Sequence, residues 1–304
     1  MTERERDLGA AIATATATPR GDERPLFDLL MRASRLPGPA PNLDLVKDFG
    51  EACAARGPAV DRLVVRMATL DADLAPGDTA AEILPMCGVA AAGARATRAA
   101  RAEPRDERAL ALMLAALHDA AEDLRFRVRA LVPSALAGVG AALGPDLLDR
   151  LSAGGWLEGY FHAAAVLLAL GDSTSAWAPS LPDAAPVLDV VDTAYALARD
   201  APRSASRYPG FKALLDALGA VPAQLTVRYG AVVLDRLAAW AVSQDPAMRA
   251  LVEANLRAPR LRGRFSSAEI DRVGAALRGS AKAPRDPTQI VQGTRGRGKK
   301  RRAR

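Results

Sequence analysis

The sequence predicts an all-helical protein. Alanine, the strongest helix former and a poor strand residue, supplies 67 of the 304 residues, whereas aromatic residues supply only 4%. Apolar residues recur at spacings of three and four along most of the chain, as they do on one face of an amphipathic helix. No segment shows the strict alternation of a half-buried strand. We therefore expect about a dozen helices of ordinary length, joined through thin, alanine-lined contacts.

The composition is typical of a folded globular chain and excludes disorder over its whole length, since 50% of the residues are apolar and 25% are charged. Cys53 and Cys87 have no CxxC spacing, so neither a disulfide framework nor a zinc site is indicated. The N-terminus lacks the pattern of a secretory signal, and the longest strongly apolar stretch, His162 to Leu170, is too short to span a bilayer. These features predict a cytoplasmic protein without membrane contact.

Three regions of the chain differ in composition. Residues 1–21 are polar or small and carry Pro19 and Gly21, which predicts a loose, disordered leader. Residues 22–278 carry the amphipathic pattern and form the predicted helical body. Residues 279–304 are poor in large apolar side chains, which predicts a disordered basic tail.

Helix-breaking and helix-capping residues predict where the helices of the body begin and end. A first short helix carries Leu26 to Ala33 and stops at the proline-rich run Leu36 to Pro41. Pro58 stands where the first turn of a later helix tolerates proline. Two hydroxyl-x-x-glutamate boxes, Thr79 to Glu82 and Ser266 to Glu269, predict two further helix starts.

A pair of antiparallel helices is predicted between residues 105 and 143. One apolar stripe runs from Leu110 to Leu117 and a second from Leu124 to Leu143, with a break at residues 119–123. Pro133 falls inside the second of these helices, where we expect it to produce a kink.

The most specific signal in the chain is a degenerate internal repeat. Val128 to Leu136 begins with Val-Arg, continues with small or apolar residues and ends with an Ala-Leu pair. Residues 245–256 repeat this unit behind an Asp-Pro turn, and weaker copies begin at Phe161-His162 and Val227-Arg228. This pattern resembles the second helix of HEAT repeats over roughly residues 105–256.

The resemblance to HEAT repeats implies a right-handed α-solenoid of stacked helix pairs with an extended concave surface. In such a unit the turn aspartate caps the second helix, the arginine reaches neighbouring turns, and the small residues let adjacent pairs stack closely. His162 stands at the arginine position of one copy. The alternative is an irregular helical domain whose alanine-rich helices imitate the pattern.

No catalytic or metal-binding constellation is complete in the sequence. The two histidines, His118 and His162, have carboxylates nearby, and Glu158 precedes His162 by four residues, but capping or core hydrogen bonds explain both rings better than a metal or acid-base site does. Residues 138–144 are rich in glycine but follow a predicted helix instead of a strand, and Tyr208 to Lys212 lacks a nucleotide-binding sheet. We therefore predict no catalytic residue, cofactor or metal.

Basic residues concentrate at the C-terminus. Residues 282–304 contain nine basic side chains and one acid, a charge of +8, which leaves −2 for the first 281 residues. A basic arm of this kind is typical of chains that bind nucleic-acid phosphates without sequence preference. The alternative interpretation is a solvated terminus that only keeps the chain soluble. The predicted nucleic-acid contacts are Arg257, Arg260, Arg262, Arg264, Arg295, Arg297, Lys299, Lys300, Arg301, Arg302 and Arg304.

The leading hypothesis is a non-enzymatic helical-repeat scaffold or adaptor that binds a protein partner on a helix-lined surface. The alternative is a protein that binds nucleic acid non-specifically and clamps phosphates with its C-terminal arm. A HEAT-like DNA-repair glycosylase is a third hypothesis, although the mildly acidic body argues against it. The aromatic residues available to line a groove in that case are Trp156, Tyr160, Trp177, Tyr229 and Trp240.

Overall fold

The computed structural model describes residues 3–18 and 21–280 of the chain, with side chains from residue 6 onwards. Within these residues every regular element is a helix and no strand is present, so the all-helical prediction is confirmed. Three short 3₁₀ segments add to the α-helices, namely Gly57–Val60, Ala80–Glu82 and Arg203–Arg207.

The helices divide into three groups along the chain. The N-terminal group consists of α1 (Glu3–Thr16), α2 (Arg24–Ala33), α3 (Leu43–Ala54), α4 (Asp61–Ala68) and α5 (Ile83–Arg101). The middle group consists of α6 (Glu107–Ala121), α7 (Phe126–Arg129), α8 (Val132–Leu143), α9 (Pro145–Ala153) and α10 (Tyr160–Gly171). The C-terminal group consists of α11 (Trp177–Ser180), α12 (Ala184–Arg199), α13 (Pro209–Leu218), α14 (Val221–Tyr229), α15 (Ala231–Trp240), α16 (Pro246–Arg257), α17 (Pro259–Arg262) and α18 (Ser267–Gly279).

Helix α5 is the centre of the N-terminal half and packs against α3, α4, α6 and α8. Small residues allow these neighbours to approach closely. A Cβ atom at Gly88 would collide with the backbone of Ala68 in α4, and one at Gly93 would lie 2.6 Å from the Cβ of Ala135 in α8. The alanine and glycine content of α5 therefore sets the short distances between these helices.

Helix α10 connects the two halves of the molecule. It contacts α6 and α8 before it in the chain, and α12, α13 and α14 after it. The residues of α10 are apolar on all faces of the helix, and most of them are buried, as expected of a helix in the interior of a core. Further on, α14 packs against α15, α16 and α17, and α15 packs against α18. Several of the main contacts therefore join helices that are two or three elements apart in the sequence, as α5 does with α3 and α8, and α10 with α8 and α13.

The expectation of a loose leader is wrong for residues 3–16, which form α1. Leu8 and Ile12 are fully buried, and Ala15 is nearly so, because spacings of four and three residues place all three on one face of the helix. Arg56 strengthens the attachment, since its Nη2 donates a hydrogen bond to the carbonyl of Gly9 at 2.9 Å. The stripe is too short to be recognised within an Ala/Thr run.

One of the two predicted capping boxes forms. Ser266 accepts a hydrogen bond from the backbone N–H of Glu269, whose carboxylate accepts from the N–H of Ser266, so α18 begins as expected. The Thr79 box does not form, because the Thr79 hydroxyl donates to the carbonyl of Pro76. Glu82 accepts instead from the backbone N–H of Asp78.

The kink predicted at Pro133 is replaced by a helix boundary. Helix α7 ends at Arg129 and α8 begins at Val132, so Pro133 lies in the first turn, where its missing N–H has no partner to lose. By length and composition alone, the segment Phe126–Leu143 would be long and apolar enough to cross a membrane. This is weak support for a membrane span, since buried core helices meet the same criterion.

Candidate protein-binding groove

An open groove runs along α5 between α3 and α8. Its volume is about 470 Å³. Small residues form the floor, among them Ala90, Gly93 and Ala94 of α5. Leu43 stands on the α3 side with 55% of its surface exposed, and Leu131 lines the α8 side. Because the floor has no long side chains, a bound segment can approach the α5 backbone closely.

The groove continues towards the C-terminal end of α5. A second cavity of about 640 Å³ shares Glu51, Ala94 and Thr97 with the first, so the two form one channel along the helix. Arg98 and Arg101 line this end and are exposed. Within the described part of the chain, no carboxylate lies within ion-pair distance of either guanidinium. Their charges are therefore available to a ligand.

Arg95, one turn earlier on α5, has the opposite environment. Only 3% of its side chain is exposed, and its guanidinium pairs with Asp61 at 2.8 Å and with Asp106 at 3.0 Å. Burial opposes the charge, but the hydrogen bonds to Asp61 and Asp106 outweigh it and raise the pKa of Arg95. Asp106 also accepts from the N–H of Ala109, and this bond and Arg95 lower its pKa. The network fixes α5 against α4 and the start of α6.

The structure brings the two histidines together. Their rings stack with centroids 3.8 Å apart, and Trp156 contacts both edge to face. His162 is buried, and its Nε2 donates a hydrogen bond to the carbonyl of His118 at 3.0 Å. Burial and the neighbouring His118 ring lower the pKa of His162.

Glu158, which precedes His162 by four residues, lies before the start of α10 and therefore does not share its helical face. Glu122 takes that place, with its Oε1 atom 3.5 Å from Nδ1 of His162. Within residues 3–18 and 21–280, no group of three or more histidine, cysteine or carboxylate side chains is arranged to hold a metal ion. Core hydrogen bonding and packing thus describe the histidine pair.

The other motifs have structural roles. Gly144 adopts a positive φ of 59° between α8 and α9, as expected of a helix end. Tyr208 precedes the first turn of α13, which begins at Pro209. Burial raises the pKa of the Cys53 thiol to about 12 and raises that of Cys87, so neither is a reactive nucleophile at neutral pH.

The predicted nucleic-acid contacts divide into two sets. Arg257 is exposed and pairs with Glu253 at 3.0 Å. Arg260 and Arg262 on α17, and Arg264 just after it, are exposed, and no carboxylate among the described residues forms an ion pair with them. The remaining predicted contacts lie outside the described residues, and they are Arg295, Arg297, Lys299, Lys300, Arg301, Arg302 and Arg304.

The aromatic residues suggested for a glycosylase groove belong to the core. Trp177 is fully buried, and Trp156 and Trp240 are buried to more than nine-tenths. Tyr160 and Tyr229 are half-buried, and the Tyr229 hydroxyl donates to the carbonyl of Leu181 at 2.9 Å. These side chains therefore do not form a stacking surface for bases.

In comparisons with known proteins, no family model, curated protein or solved structure is significantly similar to the chain. The α5 groove was not foreseen from the sequence. The sequence feature that marks the groove is the set of small residues at positions 90, 93, 94 and 97. The same pattern is typical of two helices that pack closely, so it does not by itself indicate an open groove.

Proposed function

We propose that the chain is a non-enzymatic adaptor that holds a helical segment of a protein partner in the α5 groove. The observation that carries the proposal is the continuity of a small-residue floor with two arginines that have no ion-pair partner among the described residues. Helical ligands lay an apolar face into grooves of this kind. A segment with small or aliphatic residues on one face and a carboxylate near one end would match the floor and the charges of Arg98 and Arg101.

The repeat pattern supports an adaptor built as a right-handed solenoid of HEAT-like helix pairs. At three copies of the repeat position that favours arginine, the side chain donates to a backbone carbonyl outside its own helix. Arg129 donates to the carbonyl of Asp123, His162 to that of His118, and Arg228 to those of Pro179 and Leu181. The cap that Asp245 forms on α16 at the Asp-Pro turn also supports this proposal.

A selection of helical peptides tests the proposal directly. A displayed library of amphipathic helices would be selected against the full chain, and the best peptides would be measured for binding to an Ala94→Trp variant. A tryptophan at this half-exposed floor position fills the groove, so we expect affinity to fall at least tenfold. Arg98→Glu should weaken acidic peptides in particular.

The matched control is Ala111→Trp, which adds the same side chain at an exposed alanine of α6 outside the groove. Its affinity should equal that of the unmodified chain. Peptides that bind all three proteins equally well would contradict the proposal, because they would occupy another surface.

The exposed arginines of the C-terminal region favour a second candidate function, non-specific nucleic-acid binding. Arg260, Arg262 and Arg264 lie close together on and after α17, and no described carboxylate neutralises them. Three such charges form phosphate contacts whose affinity falls with salt. The basic residues at 282–304, on which the sequence-based hypothesis of nucleic-acid binding depends, also support this candidate.

Fluorescence anisotropy with labelled DNA and RNA at two salt concentrations tests this candidate. The full chain is compared with an Arg260→Ala, Arg262→Ala, Arg264→Ala triple variant, and the control removes three exposed arginines elsewhere, Arg32, Arg108 and Arg207. The candidate predicts salt-sensitive binding that the first variant weakens more than the control does. Equal losses in both variants would indicate a general charge effect only.

A further inference from the structure

The three most exposed large apolar side chains of the described residues lie on two adjacent loops. Leu74 is 72% exposed, Leu124 is 86% exposed and Phe126 is 72% exposed. Leu74 belongs to the loop between α4 and α5, and the other two belong to the junction of α6 and α7. We call these three side chains the loop patch. Apolar groups gathered in this way usually mark an interaction surface.

Arg125 holds the two loops together. Its side chain is buried, and its guanidinium donates to the carbonyls of Leu70 and Ala75 from the first loop at 2.5 and 2.8 Å, while Asp123 neutralises the charge. Arg127 adds a second connection through ion pairs with Asp78 and Glu82. Buried hydrogen bonds thus hold the two segments that carry the loop patch in a fixed position relative to each other.

The surroundings of the loop patch are acidic. Residues 70–82 carry four carboxylates and no cation, and residues 119–129 carry three carboxylates and three arginines, so the two segments together have a charge of −4. Asp71 and Asp73, which precede Leu74, form no ion pair with any described residue. A ligand that combines aliphatic side chains with cations would complement this surface.

The chain itself contains a segment of this chemistry. Residues 281–304 carry a charge of +8, and their only large aliphatic residues, Ile290 and Val291, stand next to each other before the densest run of cations. We propose that the loop patch is the docking site for residues 281–304 of the same chain. Ile290 and Val291 cover Leu124 and Phe126, and the arginines and lysines that follow face Asp71 and Asp73.

Length and tethering are consistent with an intramolecular contact. Twenty-four residues reach at most about 80 Å when extended, which exceeds the diameter of about 40 to 50 Å expected of a compact chain of this size. A tethered segment meets its site at an effective concentration in the millimolar range, so individually weak ion pairs and apolar contacts suffice.

Site-specific photo-crosslinking in the full chain tests the proposal. A benzophenone amino acid replaces Phe126, and a second protein carries it at Tyr208, an aromatic residue that is 61% exposed elsewhere. Mass spectrometry of irradiated protein should show adducts between position 126 and residues 281–304, at least fivefold more abundant than from position 208. A mixture of isotopically heavy and light chains should give adducts of a single isotope.

Charge-reversed variants provide a second test of the proposal in the same crosslinking experiment. Asp71→Lys with Asp73→Lys should lower the yield at least fivefold, and so should 1 M salt applied to the protein without these changes. Asp149→Lys with Asp189→Lys alters the same number of exposed carboxylates elsewhere and should leave the yield unchanged. Equal yields from positions 126 and 208, or adducts of mixed isotope, would overturn the proposal. The salt titration decides the matter even if a charge-reversed variant fails to fold.

Discussion

His162 joins α10 to α6 through a buried hydrogen bond. Its Nε2 donates to the carbonyl of His118 at 3.0 Å. This bond leaves Nδ1 unprotonated towards Glu122 in the neutral ring. The sequence indicated a hydrogen-bonded core histidine, but the stacking on His118 required knowledge of how α6 and α10 pack.

The lowered pKa of His162 predicts that acid destabilises the fold. Burial disfavours the charged ring, so the unfolded chain takes up this proton more readily than the folded chain does. The contribution is fully present above the unfolded pKa of about 6.5 and is lost as the pH falls below it. Urea unfolding from pH 8 to pH 5 measures the effect, and His162→Gln, which keeps a donor for the His118 carbonyl, should show a shallower decline. Identical pH profiles would contradict this assignment.

Arg95 and Arg98 stand one turn apart on α5 and should behave oppositely. Arg95→Ala removes the buried partner of two partly exposed carboxylates, Asp61 and Asp106, and should reduce the free energy of unfolding by about 1 to 3 kcal/mol. Arg98→Ala removes an exposed side chain and should change it by less than about 0.5 kcal/mol. Chemical denaturation of both variants checks the pair, and a similar loss in both would show that the Arg95 network is not decisive.

The small residues of helix α5 have two roles, because some pack against a neighbouring helix and others line the groove. The alanine-rich sequence after Glu82 is typical of a helix, and the structure places α5 at Ile83–Arg101. The identity of its neighbours did not follow, because α3 and α8 are distant in the sequence and neither carries a residue that marks the contact. The same limit explains the groove, whose floor and two walls come from three separate segments.

Gly88 should be the least replaceable glycine of α5. A Cβ atom there would collide with the backbone of Ala68, so Gly88→Ala should destabilise the fold by about 1 to 3 kcal/mol despite the higher helix propensity of alanine. Gly274→Ala in α18 is the control, because its Cβ would meet only the end of the Arg278 side chain. That substitution should stabilise by up to about 1 kcal/mol. Thermal unfolding of both variants measures the difference, and a neutral Gly88→Ala would disprove the close approach of α4.

At the scale of the whole molecule, local signals predicted more than long-range ones. The helical class, the Ser266 box and the break after α6 follow from side-chain spacing and caps within a few residues. Helix α1 escaped prediction because Leu8 and Ile12 form a stripe of only a few residues, and tertiary contact with the rest of the N-terminal group decides its state. The loop patch likewise depends on Arg125, whose partners lie about fifty residues earlier in the chain.

The two surfaces that we propose as binding sites differ in charge. The α5 groove has an open floor and two exposed arginines, and the loop patch has apolar side chains among carboxylates. Their charges are opposite, so they select different ligands. A cationic segment is suited to the loop patch and an acidic helix to the groove.

We propose that the α5 groove holds a helical segment of a protein partner. The most direct measurement is photo-crosslinking in the native cells with a benzophenone amino acid at Leu43, an exposed residue on the α3 wall, and at Leu112, an exposed leucine of α6, as the control. We predict a discrete adduct from position 43 whose crosslinked peptide is an amphipathic helix with acidic residues, and no such adduct from position 112. The absence of an adduct at position 43, or the same adducts from both positions, would contradict the account.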